Sequence, residues 1–397
     1  MRPLFMSSFT ATSCIGRGLR ETLATLRARA SGLTACAFDT VDVKTYVGVV
    51  PGLDDERMRN DLSAFDCRNN RLAQLGLRQD QFVDAMARAI TRFGRERVGV
   101  FIGTSTSGIF QTELAYRRRD AVTGKLPADF NYATMQNSFS VADFVRHYFG
   151  LTGPAVAVST ACSSSAKVFG SAARMLDAGL IDAAIVGGVD SLCLTTLYGF
   201  SSLELVSAQP CRPFAADRDG ISIGEAAAFA LLERVPGTLD ANAILFLGIG
   251  ESSDAYHMSS PHPEGRGAYI AMQNALAAAK MATTDVDYIN LHGTATPSND
   301  SAEAAAVRKL FGSTVPCSST KGATGHTLGA AGGLEAVICA LALQHDIIPG
   351  GVNSAPLDTS LGVNYVTTNQ NRPLARALSN SFGFGGTNCS LIFGRAN

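Results

Sequence analysis

An α/β protein built from two similar halves is the fold class this chain predicts, and three observations predict it. Short apolar strands alternate with helical stretches, which favours mostly parallel sheets covered by helices. A set of landmark motifs recurs in the same order along the chain. The composition is 46% hydrophobic and 17% charged with 39 glycines, suited to a large core with close backbone approach. At about 150 residues per domain, the 397 residues make room for two or three units.

In order, Leu4 to Phe9 reads as a first strand and Arg20 to Arg29 as an amphipathic helix. Cys67 to Leu77 is helical in pattern and carries basic residues. Val98 to Ile102 is a buried strand entering GTSTSG (Gly103 to Gly108). A polar stretch with aromatics, Tyr116 to Tyr148, leads to the strand Val156 to Val158, then to a run of small residues around Cys162 and a helix from Ala166. Ala183 to Val186 opens into GGVDS (Gly187 to Ser191), and Arg212-Pro213-Phe214 precedes the strand Ala226 to Leu232.

The second half repeats this order. Asp287 to Leu291 enters GTATPS (Gly293 to Ser298), matching GTSTSG. Val315 to Thr320 leads into a Gly/Ala helix beginning near His326, matching the Cys162 junction. GGVNS (Gly350 to Ser354) matches GGVDS, and Arg372-Pro373-Leu374 precedes the strand Cys389 to Phe393. The expected division is residues 1–245 and 246–397, with loops at the carboxyl ends of strands converging where the halves join.

Several function classes are disfavoured. A net charge of −1 offers no general attraction to nucleic acid or anionic membrane. No apolar run reaches the roughly 20 residues of a membrane-spanning helix. MRPLFMSSFTATS lacks the apolar core of a secretory signal, so a cytoplasmic protein is expected. Nine cysteines without a CxxC pair argue for reduced thiols, and six histidines without HExxH argue against a structural metal. Neither a metal nor a cofactor is expected.

The chemistry centres on Val156 to Leu176. Cys162 lies where a strand passes into a helix N-terminus, where free N–H groups and the helix dipole favour negative charge. The expectation is a thiol whose pKa falls below the free value of about 8.5. A twofold relation between the halves sets His326 opposite Cys162, and His292 ends the strand that matches Val98 to Ile102. One Cys and two His on strand-end loops form a nucleophilic constellation. Asp300 and Glu303 have capping-box spacing and read as structural. Ser381 to Asn388, SFGFGGTN, is followed by a strand, so it reads as a flexible turn and not a dinucleotide loop.

Four stretches carry a resemblance: Thr160-Ala-Cys-Ser-Ser-Ser, Asn290-Leu-His-Gly-Thr-Ala-Thr-Pro-Ser-Asn-Asp, Ser319-Thr-Lys-Gly-Ala-Thr-Gly-His and Ser381-Phe-Gly-Phe-Gly-Gly-Thr-Asn. Together with Arg212-Pro-Phe…Asp217-Arg-Asp-Gly and Ser252 to Pro261, they resemble the elongating β-ketoacyl-[acyl-carrier-protein] synthases. The resemblance implies a thiolase-like duplicated five-layered αβαβα fold and a decarboxylative Claisen condensation in fatty acid, polyene or polyketide synthesis. It implies Cys162 as the acyl-carrying nucleophile and His292 and His326 as the pair acting on the malonyl group. Lys321 matches the lysine beside the second His, and Glu335 the acid on the helix behind it. The backbone N–H groups of Cys162 and Phe384 match an oxyanion hole. Gly383, Phe384, Gly385 and Gly386 match a gate, and Thr106 and Phe200 line the acyl pocket.

The resemblance further implies an acyl carrier protein as partner, with a homodimer or a heterodimer with a related subunit. Carrier proteins are acidic, so basic docking residues are expected. Arg68 and Arg71 are candidates, with Arg117 to Arg119 as a second patch. Thr106 departs from the bulkier aliphatic usual in fatty-acid members, which the resemblance reads as a different chain shape or a more polar acyl group. A non-catalytic chain-length partner would lack the active Cys, and a degradative thiolase would want a second catalytic Cys near the C-terminus; retention of Cys162, His292 and His326 argues against the former.

Overall fold

The computed structural model describes residues 1–396. Ten principal strands are β1 (Leu4–Ser13), β2 (Val98–Gly103), β3 (Ala155–Val158), β4 (Ala183–Asp190), β5 (Ala226–Arg234), β6 (Ile244–Ser253), β7 (Tyr288–Asn290), β8 (Cys317–Ser318), β9 (Arg376–Gly383) and β10 (Thr387–Arg395). Their hydrogen-bonded order is β8-β7-β9-β10-β6-β1-β5-β4-β2-β3. Each half therefore has the order 3-2-4-5-1 in its own strand numbers. In both, the fifth strand is antiparallel to its neighbours and the second, third and fourth are parallel. The two five-stranded units meet through a short antiparallel contact, Leu4 with Phe246 and Phe5 with Leu245.

The main helices are α1 (Leu19–Ala28), α2 (Arg68–Leu77), α3 (Phe82–Phe93), α4 (Ile109–Arg117), α5 (Ser140–Tyr148), α6 (Ser164–Asp177), α7 (Leu194–Ser202), α8 (Arg266–Ala279), α9 (Pro297–Phe311), α10 (Lys321–Thr324) and α11 (Ala331–His345). Helices α6 and α11 touch each other and strands of both units, so they form a central layer. Helices α2, α3 and α5 cover the outer face of the first unit, and α8 and α9 that of the second. The result is the expected five-layered αβαβα, thiolase-like arrangement.

Alternation within strands creates the layers. In β2, Val98, Val100 and Ile102 face the outer cluster with Phe82 and Phe144, whereas Phe101 faces the central one. The central cluster holds Phe169 of α6 against Phe246 and Phe393, at ring-centroid distances of 5.4 and 5.8 Å. Each such buried side chain contributes about 1.5–3 kcal/mol. Small residues let the two central helices approach: a Cβ on Gly332 would lie 2.7 Å from Ala166 Cβ. Leu328–His345, the one described stretch long and apolar enough to match a membrane span, is 89% buried and is this core helix with its preceding turn.

Two repeat matches need correction. GGVDS closes β4, but GGVNS and Arg372 both lie in the connection between α11 and β9. The strand equivalent to β4 is β9, so the true counterpart of the GGVDS turn is the turn at Gly383. Similar Gly-Gly-Val-polar-Ser strings misled because a linear match carries no information about which strand is hydrogen-bonded to which. GTSTSG with GTATPS, and the Cys162 with the His326 junction, do occupy equivalent connections. The chain passes between units over residues 235–243, so a division at 245/246 falls two residues inside β6.

Candidate active site

Six connections leave the carboxyl ends of the parallel strands β2, β3, β4, β7, β8 and β9, and they supply the site. Cys162 lies between β3 and α6 and is 6% exposed. Ala161 before it is held at φ 51°, a left-handed conformation uncommon for alanine. His292 follows β7, and His326 precedes α11; both are buried.

His326 Nε2 lies 3.1 Å from Cys162 Sγ, and the two imidazoles stand edge to face with centroids 5.2 Å apart. The other ring nitrogens are occupied. His326 Nδ1 accepts from the Leu328 backbone N–H at 3.3 Å. Lys321 Nζ, which can only donate, lies 3.4 Å from His292 Nδ1. Both rings therefore carry their proton on Nε2. Burial first, and then the Lys321 charge, push both histidines well below 6.5, so they are neutral donors at pH 7. Single ligand atoms of Cys162, His292 and His326 lie within 4.8 Å of one another, a spacing zinc accepts. A protonated Nε2, however, has no lone pair to offer a metal.

The thiol departs from expectation. Burial pushes Cys162 up to about 11, outweighing Lys321 and the backbone N–H groups of Phe384 and Cys162, which pull it down. Desolvation of a thiolate costs more here than the helix terminus returns, so the resting sulfur is protonated.

Lys321 is 1% exposed and ion-paired with Glu335. Burial raises Glu335 to about 7 against the pull of that ammonium. Position 383 requires glycine, since a Cβ there would sit 2.9 Å from Thr160 O and 3.2 Å from Cys162 N. Phe384 lies against Phe200 with centroids 5.6 Å apart. Gly385 and Gly386 take φ of 78° and 71°, and Gly385 N donates to Met258 O at 2.7 Å. The cleft bounded by Cys162, both histidines, Phe200 and Phe384 encloses only about 50 Å³.

Other expected residues are placed differently. Thr106 is buried, its hydroxyl donating to Asp190 at 2.8 Å and accepting from Ser191 N at 3.2 Å. That polar atom is consumed within the fold and cannot read a polar acyl group. Arg68 is buried, paired bidentately with Glu225 and also with Asp54, so it is not a docking residue. Arg71 is partly buried on Asp66, while Arg117 and Arg118 pair with Asp39 and Asp129. Sequence alone could not show that these basic residues already have partners.

Asp300 and Glu303 are not a cap. Thr296 precedes the helix, and both acids lie buried within α9. Glu303 accepts from His292 N and Gly293 N at 2.8 Å each, and Asp300 from Phe214 N at 2.9 Å and Ala295 N at 3.2 Å. Burial raises Glu303 to about 7. Their signal was present: with Ala304 and Val307 they occupy i, i+3, i+4 and i+7, putting two carboxylates on a buried stripe.

Comparison with known proteins agrees with this geometry. The profile of the beta-ketoacyl synthase N-terminal domain matches residues 5–237, and that of the C-terminal domain residues 244–355. The chain belongs to the β-ketoacyl synthase family. This β-ketoacyl synthase relative is 38% identical over 313 residues to 3-oxoacyl-[acyl-carrier-protein] synthase 2 of Rhizobium meliloti (strain 1021), covering 75% of this chain and 74% of that one. It is 32% identical, over 99% of both chains, to the protein of the same name from Vibrio cholerae. Among solved structures, a ketosynthase in complex with its chain length factor from Xenorhabdus doucetiae superposes with TM-score 0.87 at 37% identity, covering 100% of this chain and 98% of that one. The ishigamide ketosynthase/chain length factor superposes with TM-score 0.89 at 26% identity over the full length of both.

Proposed function

We propose that this family member catalyses decarboxylative Claisen condensation between a malonyl thioester and an acyl chain held on Cys162, both delivered by an acyl carrier protein. The pair of neutral imidazoles with Nε2–H donors, one 3.1 Å from the sulfur, carries the reading. In the first half-reaction Cys162 attacks the acyl-carrier thioester, the carrier thiol leaves, and the Cys162 proton goes to it. The buried thiol needs stabilisation only as charge develops, which His326 Nε2–H and the Phe384 and Cys162 N–H groups supply.

In the second half-reaction the malonyl carboxylate leaves as CO₂ and its electron pair forms an enolate. His292 and His326 donate to the enolate oxygen. The carbanion attacks the acyl carbonyl, the C–S bond to Cys162 breaks with its electron pair on the sulfur, which takes a proton from water, and the β-ketoacyl chain remains on the carrier. Lys321, held by Glu335, keeps Nδ1 of His292 an acceptor and so keeps the donor proton on Nε2. The narrow cleft admits an acyl chain when Phe384 swings off Phe200.

A second copy or a related subunit is the expected oligomeric partner. Strand β3 leaves an unpaired edge of four half-buried apolar residues beside the nucleophile, and two similar structures pair a ketosynthase with a chain length factor. Nine free cysteines suit a cytoplasmic setting. Intact-mass spectrometry after incubation with acyl carrier protein tests the assignment. The natural chain gains one acyl mass and Cys162→Ala gains none; an acyl adduct on the variant sinks the proposal.

A further inference from the structure

We propose that Asp190 is a positioning residue that holds the nucleophile turn and the histidine turn in register through one buried carboxylate. It ends β4 in the first unit and is fully buried. One oxygen accepts from Thr104 Oγ1 at 2.7 Å and from Ser105 N, Thr106 N and Thr106 Oγ1 at 2.8 Å each. The other accepts from Ser105 N at 3.0 Å and, across the unit boundary, from Gly329 N at 2.6 Å.

These contacts join the two reacting groups. On one side, Ser105 Oγ donates to Ala161 O at 3.3 Å, and Ala161 adjoins Cys162. On the other, Gly329 follows Leu328, whose N–H fixes the tautomer of His326. Ala161 and Leu328 both take φ of 51°, a conformation that persists only where surroundings enforce it. The joint is tight: a Cβ on Gly329 would lie 2.5 Å from Ser105 Oγ and 2.8 Å from Asp190 Oδ2. The carboxylate is also near enough to raise the Cys162 pKa, so its negative charge works against thiolate formation. Lys321, His292 and His326 are the other titratable groups facing the sulfur.

Asp190→Asn tests the idea because both oxygens accept, so an amide nitrogen meets a donor whichever way it turns. Single-turnover acylation of Cys162 by acyl carrier protein is expected to slow on the order of 10²-fold at saturating carrier. Half-saturation is expected to stay within about twofold, since docking does not involve this residue. Iodoacetamide alkylation of Cys162 is expected to shift its midpoint to lower pH as the opposing charge disappears. Hydration of a loosened turn would also lower that midpoint, so Ser105→Ala serves as the control: it keeps the Asp190 charge and is expected to slow acylation with the alkylation midpoint unmoved. Acylation within about twofold of the natural protein overturns the proposal. If Asp190→Asn does not fold, Ser105→Ala removes only the hydroxyl bridge to Ala161, and an unchanged acylation rate there overturns it equally. The inference rests on Cys162 being the nucleophile. Failure of the natural chain to acylate defeats that reading, whereas equal acylation by natural and variant chains defeats only the role of Asp190.

Discussion

Between β3 and α6 the first unit needs only residues 159–163, and that short turn presents Cys162 to the cleft. Between β8 and α11 the second unit takes residues 319–330 for the equivalent step, winding the extra length into α10 and a further turn. The longer connection stores Lys321 in the core and brings His326 back over the sulfur. The helices that follow differ in the same sense. Helix α6 leaves Lys167 and Ser171 partly exposed and Arg174 exposed, whereas α11 is buried without interruption from Ala331 to Leu343. One topology thus yields a short turn that sets Cys162 at the cleft and, by lengthening the turn, a buried charge that orients the groups around it.

The comparison breaks most visibly at Lys321. Lys321→Met leaves Glu335 buried without its cation, and urea unfolding is expected to show a loss of about 3–5 kcal/mol. Lys167→Met, at the first unit's helix, is expected to cost under about 0.5 kcal/mol. Equal costs would mean the two junctions are not specialised as described.

Next in size is the donor pair. His292→Ala is expected to raise the barrier to malonyl decarboxylation by about 2.7–4 kcal/mol, followed as CO₂ release, while leaving acylation of Cys162 nearly intact. Equal loss in both half-reactions would remove the division of labour between the units. Packing of the central helices comes third. Ile338→Ala in α11 is expected to cost about 2–5 kcal/mol, and Ser171→Ala in α6 less than about 0.5 kcal/mol, both read from urea midpoints.

The smallest effects are those of pH. The Cys162 thiol, pushed up to about 11, should alkylate with a midpoint well above that of a free thiol; a midpoint near neutrality would mean that the helix terminus outweighs burial. His292 and His326 have folded pKa values depressed below an unfolded value near 6.5. Above about 6.5 both states are neutral and the pair's contribution is complete. As pH falls, the unfolded chain binds protons that the folded one refuses, so stability is lost. Glu303 and Glu335, raised to about 7, act oppositely: their contribution is complete below the ordinary carboxylate value of 4.5 and is lost as pH rises through about 7. The His292→Asn, His326→Asn double variant is expected to lose less stability than the natural chain between pH 6.5 and 5.

Much of this was legible in the residues themselves. Short apolar runs located β2, β4 and β5, and the order of glycine turns announced a duplication. Cys162 and His292 stood out because each follows a strand in a small-residue turn, and His326 because it opens the helix that the repeat matches to the Cys162 junction. These are local properties, and local sequence encodes them. Other properties belong to the assembled molecule. Strand pairing made β9, not the GGVNS segment, the counterpart of β4. Desolvation raised the Cys162 pKa where the helix terminus alone predicted a fall. Neighbours distant in sequence absorbed Arg68 into Glu225 and Thr106 into Asp190, turning an expected docking site and pocket wall into interior bonds. Dielectric, ion pairing and hydrogen-bond occupancy depend on what surrounds a group in three dimensions, so only the tertiary structure decided them.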